Sequence, residues 1–263
     1  MKLTFILKKT FILLIALSFN SLVRAQEDSR QFYQLKIYSL ETEAQVKITD
    51  NYLKDYYLPT LKKLLISNIG VFKSRPNEKD TIKKIYVLIP FSSLSELQMT
   101  GDKLSNNQEY LSSDSKYMKA LHDQPPFKRI ETILLKAFKD MPTIKPSPLH
   151  GPRKDRIYEL RSYESPTEAY FKNKVEMFND GGEIRLFERL NFNAVFYSEV
   201  IAGAKMPNLM YMTTFLNQES RDTHWKSFVD APEWKEMSSL PKYQNNVSHI
   251  DITFLYPTEY SDY

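Results

Sequence analysis

Residues 158–169 read YELRSYESPTEA, and residues 33–44 read YQLKIYSLETEA. Aligned at an offset of 125 positions, the two stretches share six identical residues, and two further positions hold conservative replacements. A pattern that returns at a fixed distance indicates an internal repeat of one structural unit. The fold is therefore expected to use the same unit twice.

The repeat extends to the end of each copy, because RIETILL (129–135) is matched, after small length changes within the copies, by HIDITFL (249–255). Between the copies lies DMPTIKPSPLHGPRK (140–154), whose four prolines disfavour a helix or a central strand. We call the two repeats the first copy and the second copy. The sequence predicts the following boundaries: a first domain at 26–138, a linker at 139–155 and a second domain at 156–263.

Each copy has the pattern strand, helix, strand, strand, helix, strand. YELRSY alternates as a strand does, and SPTE at 165–168 has the form of a capping box with proline at the first helical position. A βαββαβ unit is ferredoxin-like, with both helices on one face of its sheet. The other face must also be buried. We therefore predict an α+β fold in which two tandem ferredoxin-like domains pack face to face as an intrachain dimeric α/β barrel.

The first 25 residues resemble an export signal. Lys2, Lys8 and Lys9 precede an apolar run, and Val-Arg-Ala at 23–25 is a small-x-small cleavage site, as in a secretory signal peptide. The apolar run is about half the length that crosses a bilayer. We expect a periplasmic or secreted mature protein that starts near Gln26 and has no membrane span.

Removal of this leader changes the charge balance. The whole chain has 36 Lys+Arg and 32 Asp+Glu, and the leader holds four basic residues and no acidic ones, so the mature protein has equal numbers of both. Without a basic excess, the electrostatic argument for nucleic-acid binding is lost. The chain has no cysteine, which excludes disulfides and a lipid-modified cysteine.

The stretch MFNDGGEIRLFERLNFNAVFYSEVIAGAKMPNLMYMTTF (177–215), followed by RDTHWKSFVDAPEWKEM (221–237), resembles NIPSNAP-family domains. These domains are similar in turn to the dimeric α/β barrel superfamily. The resemblance implies the barrel fold. It implies no single activity, since the superfamily includes cofactor-free monooxygenases, haem-handling enzymes and binding proteins. The first copy lacks the aromatic residues Trp225, Phe228 and Trp234 of this stretch and has Tyr110 and Tyr117 at roughly the matching positions. A site in the two copies is therefore expected to be asymmetric.

Strand alternation sorts the polar residues of the second copy into two faces. Leu160 and Ser162 align with the apolar Leu35 and Ile37 of the first copy. This face of the strand is therefore predicted to lie under the helices. The opposite face then lines the space between the two sheets. Seven residues are predicted to line this space: Glu159, Arg161, Tyr163, Tyr197, Glu199, His249 and Asp251.

Two hypotheses account for this polar cluster. In the first, the charges pair across neighbouring strands and stabilise the fold without any substrate. In the second, they line a ligand cavity, where Asp251 or Glu159 is a catalytic base near His249. Arg161 then holds an anionic or carbonyl group of the ligand.

His224 in RDTHWKSF lies on a predicted helix beside Trp225. It is either a packed histidine at the edge of the core or a ligand-binding residue that serves as a haem ligand or a general base. No two histidines have the spacing i, i+4 and no cysteine is present, so no motif predicts a metal site. No motif requires a cofactor either, and haem stays open as a third hypothesis.

The sequence leaves two classes of function open. One is a protein, enzyme or not, that binds or transforms a small organic molecule between the two sheets. The other is a non-enzymatic assembly or protein-interaction module whose barrel is only a structural core. A polar cavity favours the first class, and a filled barrel beside an exposed apolar patch favours the second. Whether the chain also forms a homo-oligomer is open at this level.

Overall fold

The computed structural model describes residues 29–75 and 81–263, so the predicted signal peptide at 1–25 lies outside the described residues. The first copy forms β1 (Phe32–Leu40), α1 (Glu43–Tyr52), α2 (Leu58–Lys63), β2 (Gly70–Ser74), β3 (Lys83–Phe91), α3 (Leu94–Ser105), α4 (Gln108–Leu111) and β4 (Arg129–Ala137). The second copy forms β5 (Ile157–Glu164), α5 (Glu168–Phe178), α6 (Glu183–Arg189), β6 (Phe196–Ala202), β7 (Asn208–Phe215), α7 (Gln218–Asp230), α8 (Pro232–Ser239) and β8 (His249–Pro257).

The first helix of each copy begins at the same repeat position. Thr42 caps α1 by accepting a hydrogen bond from the backbone N of Gln45 at 3.1 Å, and Thr167 caps α5 in the same way through Tyr170 at 3.4 Å. The predicted start of α5 at Ser165 was therefore wrong by two residues. The threonine that both copies share marks the true start, because its hydroxyl accepts a bond from one of the unpaired N–H groups of the first turn.

The eight strands form one closed antiparallel barrel with the order β1-β3-β2-β8-β5-β7-β6-β4. Within each copy the order is that of a ferredoxin-like sheet, and the copies join at two seams, β2 with β8 and β4 with β6. The predicted α+β fold and intrachain dimeric α/β barrel are confirmed. The two sheets meet along their edges as well as across the interior, so each copy pairs strand edges that would be exposed if it were alone. The domain boundaries stay a prediction.

The interior of the barrel is filled with apolar side chains from both copies. Leu35, Leu88, Leu160, Met212 and Leu255 belong to this buried core. The helices cover the outside of the barrel, and each copy has its own core between helices and sheet. No helix within the described parts of the chain has the length and apolar character that a membrane crossing needs.

The two faces of β5 are the reverse of the prediction. Tyr158 and Leu160 point into the barrel, whereas Tyr163 packs in the core under the helices and Glu159 contacts side chains of α7. The prediction assumed that the more apolar face would lie under the helices. In this protein Tyr158 and Leu160 enter the barrel interior, and the ion pair of Glu159 and Arg161 lies on the outer, helix-covered face.

Candidate functional site

The sheet separates the predicted site residues into two groups. Glu159, Arg161 and Tyr163 lie on the outer, helix-covered face together with Tyr197 and Glu199, as the alternation along β5 and β6 requires. His249 and Asp251 project from the opposite face at one end of the barrel, where they pair in register with Glu164 and Ser162. The predicted base near His249 therefore cannot be Glu159, because the sheet lies between them.

Glu159 is fully buried and its carboxylate is completely paired. One oxygen accepts hydrogen bonds from Arg161 Nε at 2.6 Å and from Arg221 Nη2 at 3.0 Å. The other accepts from Arg221 Nε and from Trp225 Nε1, both at 2.8 Å. One residue of β5, Arg161, and two residues one turn apart on α7, Arg221 and Trp225, thus donate to a single carboxylate.

Arg161 extends this network along the sheet. Its Nη1 donates to the Tyr163 hydroxyl at 2.8 Å, and that hydroxyl is 2.8 Å from the hydroxyl of Tyr211. The guanidinium of Arg161 also lies 3.7 Å from the ring centroid of Trp225, close enough for a cation–π contact. The network fixes α7 onto β5 and β7 and leaves only a tenth of the Arg161 side chain exposed.

The protonation states follow from this pairing. Burial acts to raise the pKa of Glu159, but the hydrogen bonds and charges of Arg221 and Arg161 outweigh it and hold that pKa below its usual value. Burial and the neighbouring Tyr163 raise the pKa of Tyr211 well above that of a free phenol. Glu159 is thus an ionised carboxylate with every lone pair in use, which favours the structural-network hypothesis over a catalytic base.

Tyr197 differs from these residues because its buried hydroxyl has no hydrogen-bond partner among the described residues. Its ring packs against Phe178, Phe187 and Tyr211 at centroid distances of 5.6–5.9 Å. It also lies in the wall of a cavity of about 490 Å³ between the linker and the end of α6. The cavity is lined by Met141, Lys145, Pro146, Pro148, Phe187, Glu188, Asn191, Asn193, Ala194 and Tyr197.

Two further predicted residues have local partners. Glu199 forms an ion pair with Arg30 at 3.4 Å, on the outer surface of β6. The Nδ1 atom of His224 is 2.6 Å from the backbone oxygen of Ser220, and the His224 ring contacts the rings of Phe192 and Phe215. This placement is the one expected of a packed histidine at the edge of the core. Its role as a ligand-binding residue stays a prediction.

Residues 158–262 match the family model described as NIPSNAP. The second copy is a NIPSNAP domain. Three solved structures share the fold of the whole chain. A candidate monooxygenase from Fusobacterium nucleatum subsp. nucleatum covers 87% of this chain and 93% of its own, with 11% identity and a TM-score of 0.55. A candidate monooxygenase from Lactobacillus acidophilus NCFM covers 87% and 94%, with 10% identity and a TM-score of 0.54.

The third structure, an anthrone oxidase-like protein, covers 87% of this chain and 92% of its own, with 11% identity and a TM-score of 0.51. At such low identities the similarity shows the fold alone. No curated protein matches the chain.

Among the residues that the structure describes, the buried charges lie in the NIPSNAP domain. In the described part of the chain, the charged side chains that are buried are Glu159, Arg161, Lys174 and Glu183. The first copy has Gln34 and Lys36 at the positions of Glu159 and Arg161. Lys36 contacts the rings of Tyr38 and Tyr57 instead of a carboxylate. The asymmetry expected from the sequence is therefore present on the helix-covered faces.

Sequence reasoning missed the partners of this network. In the sequence, Arg221 and Trp225 stand out only as part of the stretch 221–237 that resembles NIPSNAP domains. The signal was nevertheless in the sequence: Arg-x-x-x-Trp places both side chains on one face of a helix, and a buried glutamate needs such donors.

Proposed function

We propose that the NIPSNAP domain binds a small organic molecule in the cavity between the linker and α6, and that the cavity wall shifts on binding so that the buried Tyr197 hydroxyl donates a hydrogen bond to the ligand. The observation that carries the proposal is a cavity of about 490 Å³ with Tyr197 in its wall, where the Tyr197 hydroxyl is unpaired and fully buried behind the cavity surface. Buried hydroxyls are rarely left without a partner, and ligand sites usually have volumes of about 300–1,000 Å³. The proposal places the ligand outside the barrel, because apolar side chains fill the interior between the sheets.

The lining of the cavity indicates which molecules fit. Phe187, Met141 and two prolines provide an apolar surface for a flat ring, while Glu188 and Asn193 lie among the polar residues of the lining. Burial and the nearby charges of Glu183 and Glu188 raise the pKa of Tyr197 well above its usual value. Tyr197 therefore stays protonated at neutral pH and donates to an acceptor oxygen. An aromatic ketone or a phenol meets these requirements, and the anthrone oxidase-like protein of the same fold is compatible with such a ligand.

The test is calorimetric titration of the full-length mature protein with anthrone, 2-naphthol and 4-hydroxyacetophenone. We expect Tyr197→Phe to weaken binding by about three- to tenfold, the scale of one lost neutral hydrogen bond. Ala194→Trp, which fills the cavity from its wall, should abolish binding. Because Tyr197→Phe removes a hydroxyl that has no partner, the variant should be at least as stable as the parent protein.

Tyr33→Phe is the matched control, since the Tyr33 hydroxyl is also buried and unpaired but lies in the barrel core. It should leave ligand affinity unchanged. Equal affinity in the parent protein, Tyr197→Phe and Ala194→Trp would place the ligand elsewhere. The absence of binding for all three probes would contradict the ligand class that the cavity predicts.

An assembly role is the second candidate function, and one observation favours it. The barrel is filled, and Ile250 and Ile252, which lie on one face of β8, are 46% and 44% exposed. Exposed apolar side chains that lie together are a feature of interaction surfaces. Light scattering on Ile250→Ser/Ile252→Ser tests this candidate: a parent oligomer that dissociates in the variant supports assembly, and an unchanged state contradicts a role for this strip.

Export is also part of the proposal, and the residues that support it are those of the predicted leader at 1–25. We expect the protein from the periplasm or the culture medium to have an intact mass that begins near Gln26. A mass that retains the leader would contradict this expectation.

A further inference from the structure

Three side chains with metal-binding atoms converge at one end of the barrel, on the face opposite to the Glu159 network. They are Glu164 at the end of β5 and His249 and Asp251 at the start of β8. Their donor atoms all lie within 4.8 Å of one another. The register of the sheet produces this arrangement, because Glu164 pairs directly with His249, and Asp251 projects from the same face of β8 two residues later.

We propose that Glu164, His249 and Asp251 form a binding site for a divalent transition-metal ion, for which Zn²⁺ is the best match. One imidazole nitrogen and two carboxylate oxygens are three protein ligands, and water would complete a tetrahedral shell. The single nitrogen ligand and the small number of oxygens match Zn²⁺ better than Ca²⁺ or Mg²⁺, which prefer six or more oxygens.

The distances allow this shell with small side-chain movements. Tetrahedral ligands about 2.1 Å from a zinc ion are about 3.4 Å apart. His249 Nε2 and Asp251 Oδ1 are already 3.1 Å apart, and because the Glu164 donor atom lies within 4.8 Å of both, it needs to approach by no more than about 1.4 Å. All three residues retain solvent access, so rotation of their side chains is not opposed by packing.

A cationic side chain already pairs with two of the three proposed ligands. The ammonium of Lys205, in the connection between β6 and β7, contacts Asp251 Oδ2 and lies 3.7 Å from Glu164 Oε1. Lys205 is exposed over half of its side chain and can move away into solvent. We infer that Lys205 competes with the metal: it neutralises the carboxylates when the ion is absent and leaves when the ion binds.

Competition by Lys205 makes the test selective. Calorimetric titration of the untagged, full-length mature protein with ZnCl₂ should show one site. His249→Ala should weaken that site by at least about tenfold, since even second-shell changes cost metal sites ten- to a hundredfold. Lys205→Gln should tighten it by about tenfold, because the ion no longer has to displace an ammonium group from the Asp251 and Glu164 carboxylates.

The competing interpretation is a salt-bridge cluster without a metal function. It predicts that Lys205→Gln brings no gain in Zn²⁺ affinity. His150→Ala is the matched control, because His150 is an exposed histidine in the linker, and its loss should not change the titration. Zn²⁺ binding that His249→Ala leaves intact would show adsorption to surface carboxylates and overturn the proposal. The absence of binding in both the parent protein and Lys205→Gln would also overturn it.

Discussion

Glu159→Gln is expected to lower the free energy of unfolding by about 3–5 kcal/mol, the usual cost of removing one partner from a buried ion pair. The carboxylate of Glu159 is the common acceptor for Arg161, Arg221 and Trp225. An amide brings one acceptor oxygen and turns its NH₂ donors toward a guanidinium. The variant therefore leaves two arginines, one of them buried, without their shared counter-charge.

Urea unfolding followed by circular dichroism measures this loss without relying on Trp225, whose fluorescence the mutation itself would change. The control is Glu233→Gln. The Glu233 carboxylate contacts Arg189 at 2.8 Å, but about half of each side chain is exposed. An exposed pair contributes about 0–1 kcal/mol. Equal effects of the two substitutions would mean that the Glu159 network is solvated and would remove the basis for its structural role.

The pH dependence of the stability difference between the parent protein and Glu159→Gln shows whether the lost charge causes it. The pKa of Glu159 is lower in the folded protein than its usual value. Its ionised form therefore stabilises the fold above the ordinary glutamate range, and this contribution is lost as the pH falls through the folded pKa. We expect the stability difference between the parent protein and Glu159→Gln to be largest near neutral pH and to shrink in acid. A difference that stays constant in acid would indicate lost packing rather than lost charge.

The repeat was sufficient to predict the barrel, because YELRSY and YQLKIY each open the same strand, helix, strand, strand, helix, strand pattern, and two such units can cover each other's open faces. It was not sufficient to assign the faces of that strand. Both faces of β5 are buried, one in the barrel and one under the helices. Alternation separates Leu160 from Arg161, but it does not show which of two buried spaces each residue enters. That depends on how the complete barrel closes.

The residues that meet in space are far apart in the chain. Glu159 and Arg221 are separated by 62 positions, and Glu164 lies 85 positions before His249. The predicted cluster was correct in naming Glu159 and Arg161 as neighbours, because both lie on one face of one strand. It was wrong in joining them to His249, because the opposite faces of a sheet look alike in a single sequence.

The second large effect is expected at the other buried ion pair of the NIPSNAP domain. Lys174 Nζ on α5 donates to Glu183 Oε2 on α6 at 2.8 Å, and both side chains are about 95% buried or more. The ammonium is also 4.7 Å from the ring centroid of Phe178 and 3.3 Å from Met177 Sδ. Lys174→Met should lower the free energy of unfolding by about 3–5 kcal/mol, because it leaves the Glu183 carboxylate buried without a counter-charge.

The double variant Lys174→Met/Glu183→Met separates the pair from its surroundings. Replacing a whole buried ion pair with apolar side chains of similar size is often neutral or stabilising, so the double variant should regain most of the loss. The control is the exposed pair Lys226–Asp230 on α7, where Lys226→Met should cost about 0.5 kcal/mol or less.

A double variant as unstable as the single one would show that Lys174 acts mainly through its contact with Phe178. Recovery would show instead that the two charges chiefly stabilise each other. The contact between α5 and α6 could then be made apolar without loss of the fold.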